Sequence, residues 1–166
     1  MRIVVVSDTH MPRMAKQLPA HLISGLKGAD LILHAGDWTE WSVYEQLSAY
    51  APVHGIAGNN DPRSIVERLG YQTIIEAAGR RFGIVHGHGT RGTTEGRAVA
   101  AFAGEQVDCI IYGHSHIPAK SLQNGVWVFN PGSPTDRRRQ KKYSYGIITT
   151  DQDGLKLTHH LYDSKS

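Results

Sequence analysis

Apolar residues along this 166-residue chain follow two rhythms, and the change comes after Pro118. Short runs rich in β-branched residues occupy positions 2–7, 30–35, 53–57, 81–85 and 107–112. Between them, Leu18, Leu22, Ile23 and Leu26 share one helical face, Trp41, Tyr44, Leu47 and Ala51 a second, and Ala98, Ala101 and Phe102 a third. Strands alternating with helices predict βαβ units, a largely parallel sheet and helices on its faces. Beyond Pro118, alternating runs at 126–129, 145–150 and 155–161 are punctuated by Asn124-Gly125 and Asp153-Gly154. These turn pairs predict antiparallel hairpins. No linker-like stretch divides the halves, so the expectation is one α/β domain over residues 1–166, with two packed mixed β-sheets flanked by helices.

Composition narrows the class. A chain of this length buries about 70% of its unfolded surface and needs no covalent staple. With 40% hydrophobic and 20% charged residues, disorder is excluded as the main state. The longest apolar runs, Ile3–Val6 and Cys109–Tyr112, fall far short of the roughly 18 residues that span a bilayer. Met1-Arg2 leads straight into the first strand without a secretory-type apolar stretch, so the expected address is the cytoplasm. The single cysteine, Cys109, excludes an internal disulfide and a thiolate cage, and its apolar setting predicts an inert buried thiol. Net charge is +3, and five of the 18 basic residues lie in Arg137-Arg138-Arg139-Gln140-Lys141-Lys142. Followed by Tyr143 and Tyr145, that run could track a nucleic-acid backbone, but one run lacks the footprint that several phosphates require. The reading preferred for it is a solvated segment or strand edge.

Ten histidines remain to be explained. Each first-half strand is followed by polar residues: Ser7-Asp8-Thr9-His10, Ala35-Gly36-Asp37, Gly58-Asn59-Asn60-Asp61, Val85-His86-Gly87-His88 and Gly113-His114-Ser115-His116. In an open α/β sheet the crevice beyond the carboxyl ends of the strands binds ligands, so these five loops are expected to converge there. Asp8/His10, His86/His88 and His114/His116 are i, i+2 pairs, which an extended backbone aims to one side. Carboxylate, imidazole and amide oxygen suit Mn²⁺, Fe²⁺, Co²⁺, Ni²⁺ or Zn²⁺ better than Ca²⁺. Asp8, His10, Asp37, Asn59, His86, His114 and His116 are too many for one tetrahedral ion and fit two ions sharing a carboxylate. Two divalent ions against two carboxylates leave about +2, which favours a phosphate ester as substrate.

In order, D-x-H, G-D, G-N-x-D, H-G-H and G-H-x-H resemble the motifs of the calcineurin-like metallophosphoesterases, and the trailing Asn130-Pro131-Gly132-Ser133 resembles their compact phosphodiesterase branch. By position, the resemblance implies that Asp8, His10 and His116 bind one ion, Asn59, His86 and His114 another, and Asp37 both. Mn²⁺ is the first expectation for the metals. It further implies a phosphodiesterase in which a hydroxide bridging the ions attacks phosphorus, acting on a small phosphate ester.

One position departs from the family pattern. Many members carry His after the Asn of G-N-x-D, whereas this chain has Asn60, and an amide is no general acid. Loss of a general acid typically costs about 10² to 10⁴ in rate, so activated or diester leaving groups are expected. Asn60 is expected to donate to phosphate oxygen, and His88 to act as the acid or to support a ligand. His34, inside an apolar strand, is expected to be a hydrogen-bonded packing residue, and Trp38 and Trp41 either core or pocket wall. His21, His54, His159 and His160 have no partner motif. Alternatives are a nuclease using the basic run, or a non-catalytic interaction scaffold such as a retromer subunit of the same branch; the filled ligand positions favour catalysis. No membrane partner is expected, and homo-oligomerisation stays open.

Overall fold

A computed structural model describes residues Met1–Ser166. Its strands are β1 Arg2–Val6, β2 Leu31–His34, β3 Val53–Gly55, β4 Gln72–Ala77, β5 Arg80–Val85, β6 Cys109–Ile111, β7 Ala119–Gln123, β8 Val126–Asn130, β9 Tyr143–Asp151 and β10 Gly154–Tyr162. Four short helices, α1 Ala20–Leu26, α2 Ser42–Ser48, α3 Arg63–Leu69 and α4 Thr94–Ala101, complete the fold. One five-stranded sheet runs β10-β9-β1-β2-β3 and the other β4-β5-β6-β8-β7. Strands β1, β2 and β3 are parallel, as are β5, β6 and β8, while β9, β10, β4 and β7 join antiparallel.

Strand β1 explains the layering. Its four consecutive apolar residues are all buried, because Ile3 and Val5 point between the sheets whereas Val4 and Val6 point towards the helices. A strand covered on both faces reads as a continuous hydrophobic run, not an alternating one. Between the sheets, Ile3, Val5 and Leu33 meet Phe82, Ile84, Ile111 and Phe129. Leu22 and Leu26 of α1 and Leu47 of α2 pack with Val4, Val6 and Ile32 on the outer face of the first sheet. On the second sheet, Ala98 and Phe102 from α4 and its end cover Ile110 and Val128.

The architecture of two packed mixed sheets with flanking helices is as expected, but the partition of strands is not. The early strands form two parallel sets in different sheets, and the late hairpins are shared between the sheets. Helix α3 and strands β4 and β7 escaped the hydrophobic pattern for physical reasons. Only Ile65 of α3 is buried, and the apolar residues Ile74 and Ile75 of β4 are adjacent instead of alternating. Strand β7, Ala-Lys-Ser-Leu-Gln, has no β-branched residue and leaves Leu122 57% exposed.

Candidate metal centre

Loops from the carboxyl ends of β1, β2, β3, β5, β6 and β8 meet at one end of the two sheets. They are laced together by backbone bonds: Asp8 N–H to Gly36 O at 2.9 Å, His10 N–H to Asp37 O at 3.0 Å and Gly113 N–H to His86 O at 3.1 Å. Asp8, His10, Asp37, His114 and His116 all have φ between 42° and 69°. Non-glycine residues rarely occupy that left-handed region, and holding five of them there requires firm surroundings.

Asp61, the last residue of Gly58-Asn59-Asn60-Asp61, has a structural task that its sequence position does not show. Its carboxylate accepts N–H bonds from Asp37 and Gly58 through Oδ2 and from Thr39 through Oδ1, each at 2.8 Å, tying the β2 and β3 loops together. Asn130 does the same for the second sheet: its amide donates to Gly113 O and Ser115 Oγ and accepts from Gly132 N–H. Ser133 Oγ then donates to Asp8 O at 2.8 Å and Thr135 Oγ1 to Thr9 O at 2.6 Å. The Asn130–Ser133 turn is therefore a brace under the Asp8 loop.

At the centre, Asp8 Oδ1 lies 3.4 Å from His116 Nε2, 3.6 Å from His86 Nε2 and 3.7 Å from His10 Nε2. Asp37 Oδ2 lies 3.3 Å from His86 Nε2 and 3.4 Å from His10 Nε2. Asp8 Oδ1 and the three Nε2 atoms are buried and have no hydrogen-bond partner. Two histidine tautomers follow from the surroundings. His86 Nδ1 faces Ala35 O at 2.7 Å and His116 Nδ1 faces Asp136 O, so each Nδ1 carries hydrogen and donates. In the neutral rings both Nε2 lone pairs then face carboxylate oxygens, leaving acceptors opposite acceptors. Something positive has to lie between them, a proton or a cation. Backbone carbonyls that fix the far ring nitrogen are the usual support for histidines that hold metal. Two overlapping groups suit a divalent ion by donor chemistry, Asp8 with His10 and His116, and Asp8 with Asp37 and His86.

Charge follows from this packing. Burial works against ionisation of Asp8, yet His10 and His116, aided by His86, hold its carboxyl far below the ordinary carboxylate range. Burial likewise opposes ionisation of Asp37, but His86 and the Asn60 backbone N–H bring it down to about 2. Burial disfavours the charged form of His86, while Asp37 and Asp8 outweigh that and raise it to about 9. His116 is raised against its burial by Asp8, whereas burial lowers His88 and His114.

The remaining predicted site residues sit towards the open side. His114 is half-buried, its ring 5.2 Å from that of His86 in an edge-on arrangement, and its backbone N–H donates to Asp8 Oδ2 at 3.0 Å. Asn59 and His88 are exposed, with the His88 ring 5.7 Å from His86. The expectation that Asn60 reaches outward to phosphate is not what the structure shows. Its Nδ2 donates to Asp37 Oδ2 and its N–H to Asp37 Oδ1, both at 2.9 Å, because the β3 loop folds onto that carboxylate. His34 is the packing residue expected. Gly36 N–H donates to its Nδ1, so Nε2 carries the hydrogen and donates to Thr9 Oγ1, and burial depresses the ring to about 3. Trp38 is core, stacked 3.7 Å from the His34 ring, whereas Trp41 is half-buried beneath the Arg68 guanidinium. Cys109 is buried, and burial pushes its thiol up, as an inert thiol requires.

Fold and donor set together define a metal-dependent phosphoesterase, and comparison with known proteins places it. The calcineurin-like phosphoesterase superfamily domain matches residues 1–153, and the chain belongs to that superfamily. A relative from Methanothermobacter thermautotrophicus, named "Probable metallophosphoesterase", is 35% identical over 138 residues, covering 81% of this chain and 78% of its own. Among solved structures, Vps29 from Chaetomium thermophilum superposes with a TM-score of 0.77 at 17% identity, covering 98% of each chain. A structure described as a novel archaeal phosphodiesterase gives 0.72 at 24% identity, covering 96% of this chain and 100% of the other. These last two likenesses show the fold. No helix is long and apolar enough to cross a membrane.

Proposed function

We propose that the chain is a two-metal phosphodiesterase in which Asp8, His10 and His116 hold one divalent ion, Asn59, His86 and His114 a second, and Asp37 both. The observation that carries this reading is the set of four buried, partnerless atoms, Asp8 Oδ1 and Nε2 of His10, His86 and His116, gathered about two carboxylates. Mn²⁺ is the first choice for the metal, with Ni²⁺, Co²⁺, Fe²⁺ and Zn²⁺ as competitors. When bound, two divalent ions polarise phosphoryl oxygens and lower the pKa of coordinated water from 15.7 to about 7. The protein's share is orientation. Ala35 O and Asp136 O hold the His86 and His116 rings with Nε2 inward. Asn60 fixes both oxygens of Asp37, and Asp61 fixes the backbone that carries it.

Protonation of the leaving group falls to the open side. Asn60 has no acidic proton to give, and His88 is the exposed imidazole beside His86 and His114. We assign His88 that proton transfer, and Asn60 the positioning of Asp37. Diesters with good leaving groups should consequently outpace alkyl monoesters. The substrate we assign is a small phosphate ester hydrolysed in the cytoplasm by a single domain spanning 1–166. Metal analysis of the purified protein, with diester and monoester hydrolysis compared across Mn²⁺, Ni²⁺, Co²⁺ and Zn²⁺, tests the reading. Metal-dependent diester hydrolysis that is lost in Asp37→Ala is expected. Full activity in Asp37→Ala would refute the site, and a wild type that binds no metal would favour the scaffold reading.

A further inference from the structure

The basic run from Arg137 to Lys142 is not on a remote face. It directly follows Asp136, whose backbone oxygen holds the His116 ring. Two residues later, Arg138 Nη1 lies 3.5 Å from the carbonyl oxygen of His114, so its guanidinium rests on the loop that carries His114 and His116.

The neighbouring cations are differently employed. Lys142 pairs with Asp163 at 3.5 Å, and Arg137 donates to Gln140 O while covering the Tyr143 ring. Arg138 forms no ion pair, and the nearby carboxylate, that of Asp136, faces His116 instead. Beyond it, Pro118, Arg139, Gln140, Lys141, Lys142 and Leu161 line a cavity of about 500 Å³ that begins two residues past His116. A cavity of that size suits a small ligand. Arg138 immediately precedes its lining residue Arg139 in the chain, and its guanidinium, free of any ion pair, offers the forked donor geometry that matches phosphate.

Resting on the two-metal reading, we propose that Arg138 anchors a second anion subsite beside the metal centre. The preferred substrate class is then a small phosphodiester carrying another phosphate a few bonds from the scissile one. Arg138 binds that second phosphate bidentately, and Arg139 and Lys141 add attraction without a fixed geometry. No bond changes at this subsite; it sets affinity and orientation.

Two non-hydrolysable probes, propylphosphonate and propane-1,3-diylbisphosphonate, test the assignment by calorimetric titration of the manganese-loaded protein. In wild type the bisphosphonate should bind about tenfold tighter than the monophosphonate, the scale of one charge-assisted contact. Arg138→Asn keeps a residue that tolerates the left-handed backbone at this position, where φ is 49°. It should reduce the ratio to about twofold, and Arg138→Lys should restore part of it. Lys156→Ala removes one charge at the opposite end of β10 and should leave the ratio at its wild-type value. An unchanged ratio in Arg138→Asn overturns the subsite. Propylphosphonate binding that is equally tight in EDTA overturns the two-metal reading beneath it, so the two failures are distinguishable. A single-stranded DNA dodecamer that binds with a log–log salt slope of several units would transfer the second phosphate to a nucleic-acid strand, overturning the small-substrate assignment.

Discussion

Gly113→Ala is expected to disable the metal centre without altering any ligand. Gly113 lies where the β6 loop passes the β1 loop. A Cβ there would overlap Ser7 Oγ and sit 2.7 Å from Asp8 Oδ2 and 2.9 Å from Ser7 Cβ. Those atoms are committed: Ser7 Oγ donates to Asp8 Oδ2 at 2.8 Å, and the His114 N–H donates to the same oxygen at 3.0 Å. Ser7 and Asp8 are fully buried, so neither can swing into solvent. Forcing a methyl group into a packed interior costs about 1–3 kcal/mol, and each hydrogen bond to a charged group is worth about 1.5–3 kcal/mol. Relief by moving Asp8 therefore sacrifices one or both bonds, for a total of roughly 2.5–9 kcal/mol in the metal-bound state. Calorimetric titration with Mn²⁺ should show affinity weakened by at least about a hundredfold, and thermal unfolding in Mn²⁺ should show the stabilisation lost. Ser7→Gly combined with Gly113→Ala removes the overlapping side chain and should recover part of the affinity. Wild-type metal affinity in Gly113→Ala would show that close approach at this glycine does not hold Asp8 in place.

Three other outcomes follow from the geometry. Because metal-free His86 is raised to about 9 by Asp37 and Asp8 against its burial, it carries a proton at pH 7 that a metal ion must displace. Mn²⁺ affinity should tighten about tenfold per pH unit for each proton released as pH rises from 7 towards 9, and calorimetry in buffers of different protonation enthalpy should count at least one proton; zero would contradict the assignment. Burial depresses folded His34 to about 3 from 6.5, so the unfolded chain takes up the proton first. Its contribution is intact above pH 6.5 and is lost as pH falls towards 3, on the order of 5 kcal/mol in full. In EDTA, His34→Asn should flatten the acid limb of denaturant-measured stability, and parallel limbs would remove His34 from that role. Phe129→Ala, at a fully buried ring between the sheets, should cost about 3–5 kcal/mol in denaturant unfolding, and a loss under 1 kcal/mol would show that the cavity collapses.

Much of this was legible in the sequence because the chemistry is local to strand ends. Ile3 to Val6 announced a strand buried on both faces, and the polar residues after each parallel strand announced the converging loops. His34, expected as a packing residue, packs against Trp38, and His159, which had no partner motif, faces Asn130 O. What stayed hidden depends on contacts between distant segments. Nothing in the spacing of Asp61 shows that three backbone N–H groups from two loops converge on it. Asn60 followed its own loop onto Asp37, which sequence position alone does not reveal. Arg138 read as part of a solvated run because the turn that returns it to His114 is a tertiary feature.

The partnerless atoms also explain why so much of the surrounding structure is brace. Leaving a buried polar atom unsatisfied costs about 1–3 kcal/mol, so four of them amount to roughly 4–12 kcal/mol, comparable with the total stability of an ordinary domain. A chain free to relax would rotate the imidazoles away or admit one carboxylate to solvent. Here Ala35 O and Asp136 O prevent His86 and His116 from turning, Ser133 and Thr135 hold the Asp8 loop from beneath, and Asp61 holds the Asp37 loop. Each brace uses a donor or acceptor that is not itself part of the cluster, so the electrostatic tension is carried by the loops and stays concentrated at the centre. Positive charge is the remedy that geometry leaves open. At neutral pH a proton on His86 supplies some of it, and a divalent ion, with more charge and several donors within reach, supplies more. On the two-metal reading the loop bonds set metal affinity as directly as the proposed ligands do, since any relaxation they permit lowers the free energy of the metal-free state and with it the gain on binding.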